Sequence, residues 1–139
     1  MASCRTGPPL PPLDLSTPGW QVMQGQAVWK PPGKHPELAG DLLLATNSTG
    51  DVFVQLIKTP FPIVTAEILG GHWQIQFGTG QHVWRGPGIP PKRFPWFQLA
   101  NALAGKTPAG NWRFTNISPD RWRLENPRSG ESLEGGFFP

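Results

Sequence analysis

Residues 73–85 read Trp73-Gln74-Ile75-Gln76-Phe77-Gly78-Thr79-Gly80-Gln81-His82-Val83-Trp84-Arg85, and their reading decides the fold class. Large apolar side chains at 73, 75 and 77 alternate with Gln74 and Gln76. That is the period of two of a strand with one buried and one wetted face. Gly78-Thr79-Gly80 then turns the chain into a second strand, so the unit is a hairpin.

The same pattern extends in both directions. Upstream, Trp20 to Trp29 is strand-like, with Gly25 either a bulge or a point of close contact. Lys30-Pro31-Pro32-Gly33-Lys34 turns into the apolar stretch Leu38 to Thr46. Asn47-Ser48-Thr49-Gly50 is a hairpin turn, with Gly50 suited to positive φ. Asp51 to Lys58 is the next strand, Thr59-Pro60-Phe61-Pro62 interrupts, Ile63 to Leu69 continues and Gly70-Gly71 turns. Downstream, Gly86-Pro87-Gly88-Ile89-Pro90-Pro91 suits no regular element. Phe94 to Ala104 changes period: Phe97, Leu99, Ala100 and Leu103 suit one short helix, with Pro95 in its first turn and Gly105 at its C-cap. Trp112 and Phe114 alternate with Arg113 and Thr115, and Trp122 and Leu124 with Arg121 and Arg123, the two strands joined by Ser118-Pro119-Asp120. Ser132 to Phe138 forms a last strand. About eight or nine antiparallel strands at this spacing, with one short helix, predict a mainly β sandwich or barrel.

Composition agrees. Seventeen Gly and 18 Pro make up about a quarter of the 139 residues. Such Pro density excludes a coiled coil, and the glycines lack the period of three of collagen. The 7 Trp and 8 Phe supply a core, since each large aromatic can bury ~150–250 Å². No run of 18 apolar residues exists to span a membrane as a helix. A single Cys excludes an internal disulfide framework and a Cys-based zinc site.

Catalytic signals are weak. His35, His72 and His82 lack metal-ligand spacing. No Gly-x-Ser-x-Gly elbow and no phosphate-cradling glycine loop occurs. Glu67, Asp120 and Glu131 show no pairing for acid–base work. The sequence therefore predicts no enzyme, no metal and no cofactor. Net charge is +3, concentrated at Lys92, Arg93, Lys106, Arg113, Arg121, Arg123 and Arg128. The arginines at 113, 121 and 123 fall on the face opposite Trp112, Trp122 and Leu124. A basic outer face favours anionic lipid head groups or nucleic acid, or is an ordinary solvated face. Charges and aromatics sit on opposite phases instead of mixing, which speaks against base stacking and a nucleic-acid partner.

The N-terminus carries a separate signal. Thr6-Gly7-Pro8-Pro9-Leu10-Pro11-Pro12-Leu13-Asp14-Leu15-Ser16-Thr17-Pro18 favours polyproline II and reads as a semi-rigid tether over residues 1–19, ahead of a β domain over residues 20–139. Ala2-Ser3-Cys4 resembles the end of a bacterial lipobox, with Met1 where a Leu usually stands, which makes Cys4 the expected lipid-attachment residue; the other reading is a stray exposed thiol. More than one acyl chain is needed for stable anchoring. In proteobacterial lipoproteins, Arg5 after the Cys implies release to the outer membrane.

From Trp20-x-x-x-x-Gly25-x-x-x-Trp29 onward, the order of elements resembles the LolA/LolB lipoprotein-localisation family, and is more similar to its outer-membrane receptor branch. Leu56 to Ile68 resembles that family's two strands joined by a loop with an apolar tip. Pro95 to Gly105 resembles its helix ending in Gly, and Trp112-Arg113-Phe114 with Trp122-Arg123-Leu124 its closing strands. The chain is shorter than the family norm, and Phe61 stands where the receptor has an aliphatic tip.

The resemblance implies an unclosed antiparallel β-barrel with an apolar cavity, lipid-anchored at the periplasmic face of the outer membrane. It further implies a monomer that binds acyl chains or lipoprotein cargo non-covalently. The cavity candidates are Val54, Leu56, Ile68, Trp73, Ile75, Phe97, Leu99, Leu103, Trp112 and Trp122. Pro60, Phe61 and Pro62 form the membrane or cargo loop, with Phe61 either an exposed tip or folded back under its own loop. The alternative is a filled-core envelope lipoprotein acting as a structural or protein-interaction module, because a small barrel can be filled by its own side chains.

Overall fold

The computed structural model describes residue 10, residues 13–79 and residues 82–139. Nine strands occur among them: β1 (Gln21–Lys30), β2 (Leu38–Thr46), β3 (Val52–Lys58), β4 (Phe61–Leu69), β5 (His72–Phe77), β6 (His82–Pro87), β7 (Arg113–Ser118), β8 (Arg121–Glu125) and β9 (Ser132–Phe137). They form one antiparallel sheet in the order β6-β5-β4-β3-β2-β1-β9-β8-β7. The edges β6 and β7 do not pair, so the sheet is curved but unclosed, the open form that the resemblance implies and not the closed barrel or sandwich that strand spacing alone suggests.

Two hairpin meanders, β1–β6 and β7–β9, are joined by a single long-range ladder. β1 pairs with β2 from Gln21↔Thr46 to Trp29↔Leu38, and its second half also pairs with β9 from Gly25↔Phe137 to Lys30↔Ser132. Gly25 marks the point where β9 leaves, and there is no register shift. A Cβ at Gly25 would strike the Gly136 carbonyl oxygen and stand 2.7 Å from Phe137 Cα. Of the two readings of Gly25, close backbone contact is the one found. Gly135 and Gly136 approach the Gln26 and Asp120 carbonyls in the same way. Glycine is used here because no side chain fits between the crossing backbones.

The alternating pattern sorts the two faces. Ala27, Trp29, Leu42, Leu44, Val54, Leu56, Val64, Ala66, Ile75, Trp122 and Leu133 point inward and form one buried cluster. Trp96, Phe97 and Leu99 cover it from the segment between β6 and β7. The sequence predicts one helix there; the structure splits it into a 3-10 turn, Pro95–Phe97, and a short helix α1, Leu99–Leu103. Neither piece has a side-chain N-cap or an acidic first turn, the features that would favour one longer helix. Gln98, between them, is buried, and its side-chain oxygen accepts the Ala109 N–H at 3.0 Å. The side chain thus ties the following loop down.

The β3–β4 turn is shorter than the sequence suggests. Only Thr59 and Pro60 lie outside the strands, while Phe61 and Pro62 already belong to β4. A register shift at Leu56/Ile57 places Pro62 opposite Ile57, and β4 does not meet β5 until Val64. Pro62 therefore sits where β4 pairs on one side only, which is where a strand tolerates proline. At the β2–β3 turn Gly50 has φ of 89°, and Asn47 Oδ1 accepts the Thr49 and Asp51 N–H groups. The Asn side chain mimics a backbone turn.

The proline-rich segment does not stay clear of the sheet throughout. The Leu10 N–H donates to Gln74 Oε1 at 3.3 Å, on the outward face of β5. Leu13 and Leu15 are half-buried. Asp14 caps its own turn by accepting the Ser16 N–H and hydroxyl.

Candidate functional site: an aromatic groove at the open end of the sheet

β1, β5 and β6 bring their ends together at one end of the curved sheet. Inward aromatics near those ends are Trp29, Phe77 and Trp84, and Phe94 arrives from the segment before the 3-10 turn. Their rings form a continuous floor. Trp29 and Phe77 stack at 6.0 Å and 25°, Phe77 meets Trp84 edge-on at 5.7 Å, and Phe94 lies 6.0 Å from Phe77 and 6.3 Å from Trp84. Beneath the floor, Trp96 braces Trp29 edge-on at 5.4 Å. The groove above has a volume of about 690 Å³, within the ~300–1,000 Å³ typical of small-molecule sites. Pro31 and Pro32 from the β1–β2 loop add apolar wall, with His35, His82, Arg93, Asn126, Ser129 and Glu131 as its polar groups.

Glu131 is the unusual polar group. It is 7% exposed, and the Trp29 Nε1–H donates to its Oε2 at 2.9 Å. Burial pushes its carboxyl up from 4.5 to about 7, against the opposing pull of the Trp29 hydrogen bond. Desolvation disfavours the charged form and prevails here. At the rim, the Arg93 guanidinium lies 4.7 Å over the Phe94 ring, and His82 stacks on Trp84 at 6.3 Å and 18°.

Other hollows have a different chemistry. One of about 650 Å³ on the outer face is lined by Asp41, Lys58, Asp120, Arg121 and Glu134, and the Arg121–Glu134 bridge of 2.7 Å crosses it. Arg123 lies 3.8 Å from Glu134 and from Glu125. The basic outer face read from the sequence is thus interleaved with carboxylates.

The sequence-derived cavity residues lie elsewhere. Val54, Leu56, Ile75, Phe97, Leu99 and Trp122 are buried in the core cluster, and Ile68, Trp73 and Leu103 pack against it half-buried. Trp112 is buried and its Nε1–H donates to the Lys92 carbonyl at 2.7 Å. Leu103 and Trp112 share a hollow of about 500 Å³ with Pro108 and Phe114. None of the ten lines the aromatic groove. Trp29, Phe77 and Trp84 share the inward phase of the strand residues among those candidates, and their position near a Gly- or Pro-rich turn is the available signal. Phe61 is 66% exposed, Pro60 is exposed and Pro62 half-buried. Cys4 lies outside the described residues. His72 and His82 stand at opposite ends of the β5–β6 ladder. Among the described residues, no three His, Cys, Asp or Glu side chains gather as a metal site.

Compared with protein-family models and with curated proteins, the chain matches none, so its functional reading rests on the geometry above.

Proposed function

We propose that the chain is a non-catalytic acyl-binding domain whose apolar ligand lies in the groove floored by Trp29, Phe77, Trp84 and Phe94. That four-ring floor is the observation that carries the reading. An apolar chain moved from water onto it gains ~0.8 kcal/mol per buried CH₂. The unclosed sheet leaves this end open for the chain to enter. On the resemblance to the LolA/LolB family read from the sequence, the proposal extends to an outer-membrane lipoprotein, acylated at Cys4 and facing the periplasm, that handles lipoprotein or lipid acyl chains as a monomer. The short exposed turn at Pro60, Phe61 and Pro62 would be its membrane or cargo contact.

A second reading is favoured by a specific observation. Val54, Leu56, Ile75 and Leu99 are fully buried while Phe61 and Phe138 stand 66% and 60% exposed. A filled core with outward aromatics suits a structural or protein-interaction module of the envelope.

Titration with a series of N-acylated peptides, followed by Trp emission, separates the two. The acyl-binding reading predicts a blue shift and an affinity that rises about fourfold per added methylene. No shift at any chain length, with no dependence on acylation, leaves the interaction-module reading.

A further inference from the structure

We propose that the groove selects single-chain carboxylates, with the hydrocarbon on the aromatic floor and the carboxylate at Arg93. This rests on the acyl-binding reading and specifies the head group it takes.

Arg93 sits at the border of the floor, its guanidinium 4.7 Å over Phe94. The salt bridges among the described residues involve Arg121 and Arg123, not Arg93. Arg93 is exposed, so its guanidinium stands in water at the edge of an apolar groove, with no carboxylate bridged to it among the described residues. A guanidinium fork matches a carboxylate with two parallel hydrogen bonds. His35 and His82 line the same groove and offer further ring donors.

Among the described lining residues the acid is Glu131, and it is engaged elsewhere. It is buried and accepts from Trp29 Nε1, and its raised carboxyl is in part neutral near pH 7. A cationic head group would meet Arg93 with like charge, and a neutral one would gain no ion pair with it. One cation, with Glu131 lining the same groove, suits a monoanion better than a phosphate dianion.

The test uses the 139-residue chain with decanoate, decanol and decyl phosphate, each below its micelle concentration, read by Trp emission at pH 7.5. Decanoate is expected to bind about tenfold tighter than decanol, the size of one charge-assisted hydrogen-bonded contact, and tighter than decyl phosphate. Arg93→Gln should collapse the decanoate-to-decanol ratio toward one, and Arg93→Lys should restore part of it. Because the test reads a ratio, a general loss of packing does not imitate the effect.

Equal binding of decanoate and decanol, a ratio unchanged in Arg93→Gln, or tighter binding of decyl phosphate would overturn the carboxylate assignment while leaving acyl binding standing. Failure of all three ligands to bind would overturn the acyl-binding reading itself.

Discussion

Glu131 joins a local fact to a distant one. It lies just before β9, yet its hydrogen-bond partner Trp29 is 102 positions away in β1. Because its folded carboxyl is raised from 4.5 to about 7, the unfolded chain releases this proton at lower pH than the folded one. Stability from this residue is therefore complete below pH 4.5 and is lost as pH rises through about 7. The loss is on the order of 3 kcal/mol. Urea unfolding between pH 4.5 and 8 should show this decline. Glu131→Gln, which keeps an acceptor for the Trp29 Nε1–H, should flatten it and be the more stable protein at pH 8. Gly25 makes a purely steric prediction. Gly25→Ala places a methyl against the Gly136 carbonyl and should destabilise by about 1–3 kcal/mol or more, as overpacking does, seen as a lower unfolding midpoint. The sequence marks Gly25 as special, but Glu131 carries no local sign, because its burial depends on the strand opposite.

The elements were legible to different depths. Strict alternation at Trp73, Ile75 and Phe77 fixes the phase of β5 without any knowledge of its neighbours, since the side-chain period of a strand is set by its own backbone. The helix was less legible. Pro95 opens the 3-10 turn instead of the helix, the C-cap is Ala104 with Gly105 just after it, and Gln98 between the two pieces makes a tertiary bond to Ala109 that no local pattern announces. Proline density alone suggests a spacer, whereas the Leu10 N–H bonds to Gln74 on β5. Gln74 Oε1 also accepts from Arg85 Nε at 3.1 Å. Gln74→Ala should therefore free this crossing at a cost of about 1 kcal/mol, seen as faster hydrogen exchange at the Leu10 amide and faster proteolysis ahead of Leu13. At the β3–β4 turn, Phe61→Ser should change stability by less than about 0.5 kcal/mol, as exposed substitutions do. If the tip contacts a bilayer as proposed, the same change should lower co-flotation of the chain with phospholipid vesicles.

At the scale of the molecule, one long-range ladder decides the architecture. Eight neighbour pairs build the sheet, and only β1–β9 joins residues more than 90 positions apart. That pairing brings the residues before β9, Glu131 among them, beside the end of β1, and so completes one wall of the groove. No periodicity within a segment announces such a wall. Of the ten cavity residues read from the sequence, the strand residues share the inward phase of the groove's aromatics but pack in the core or against it, and Leu103 and Trp112 line a separate hollow. The floor is made instead at the strand ends, where inward side chains have neighbours on one side and open space on the other.

The most direct test of the account is to locate a bound hydrocarbon chain. A decanoyl probe carrying a terminal diazirine, irradiated with the 139-residue chain and mapped by peptide mass analysis, should label Trp29 to Pro32, Phe77, Trp84 and Phe94. Substitution of Trp84 by Ala should reduce that labelling. Label confined to Phe61 and Phe138, or no specific label, would contradict a ligand groove and leave the outward aromatics as the working surface.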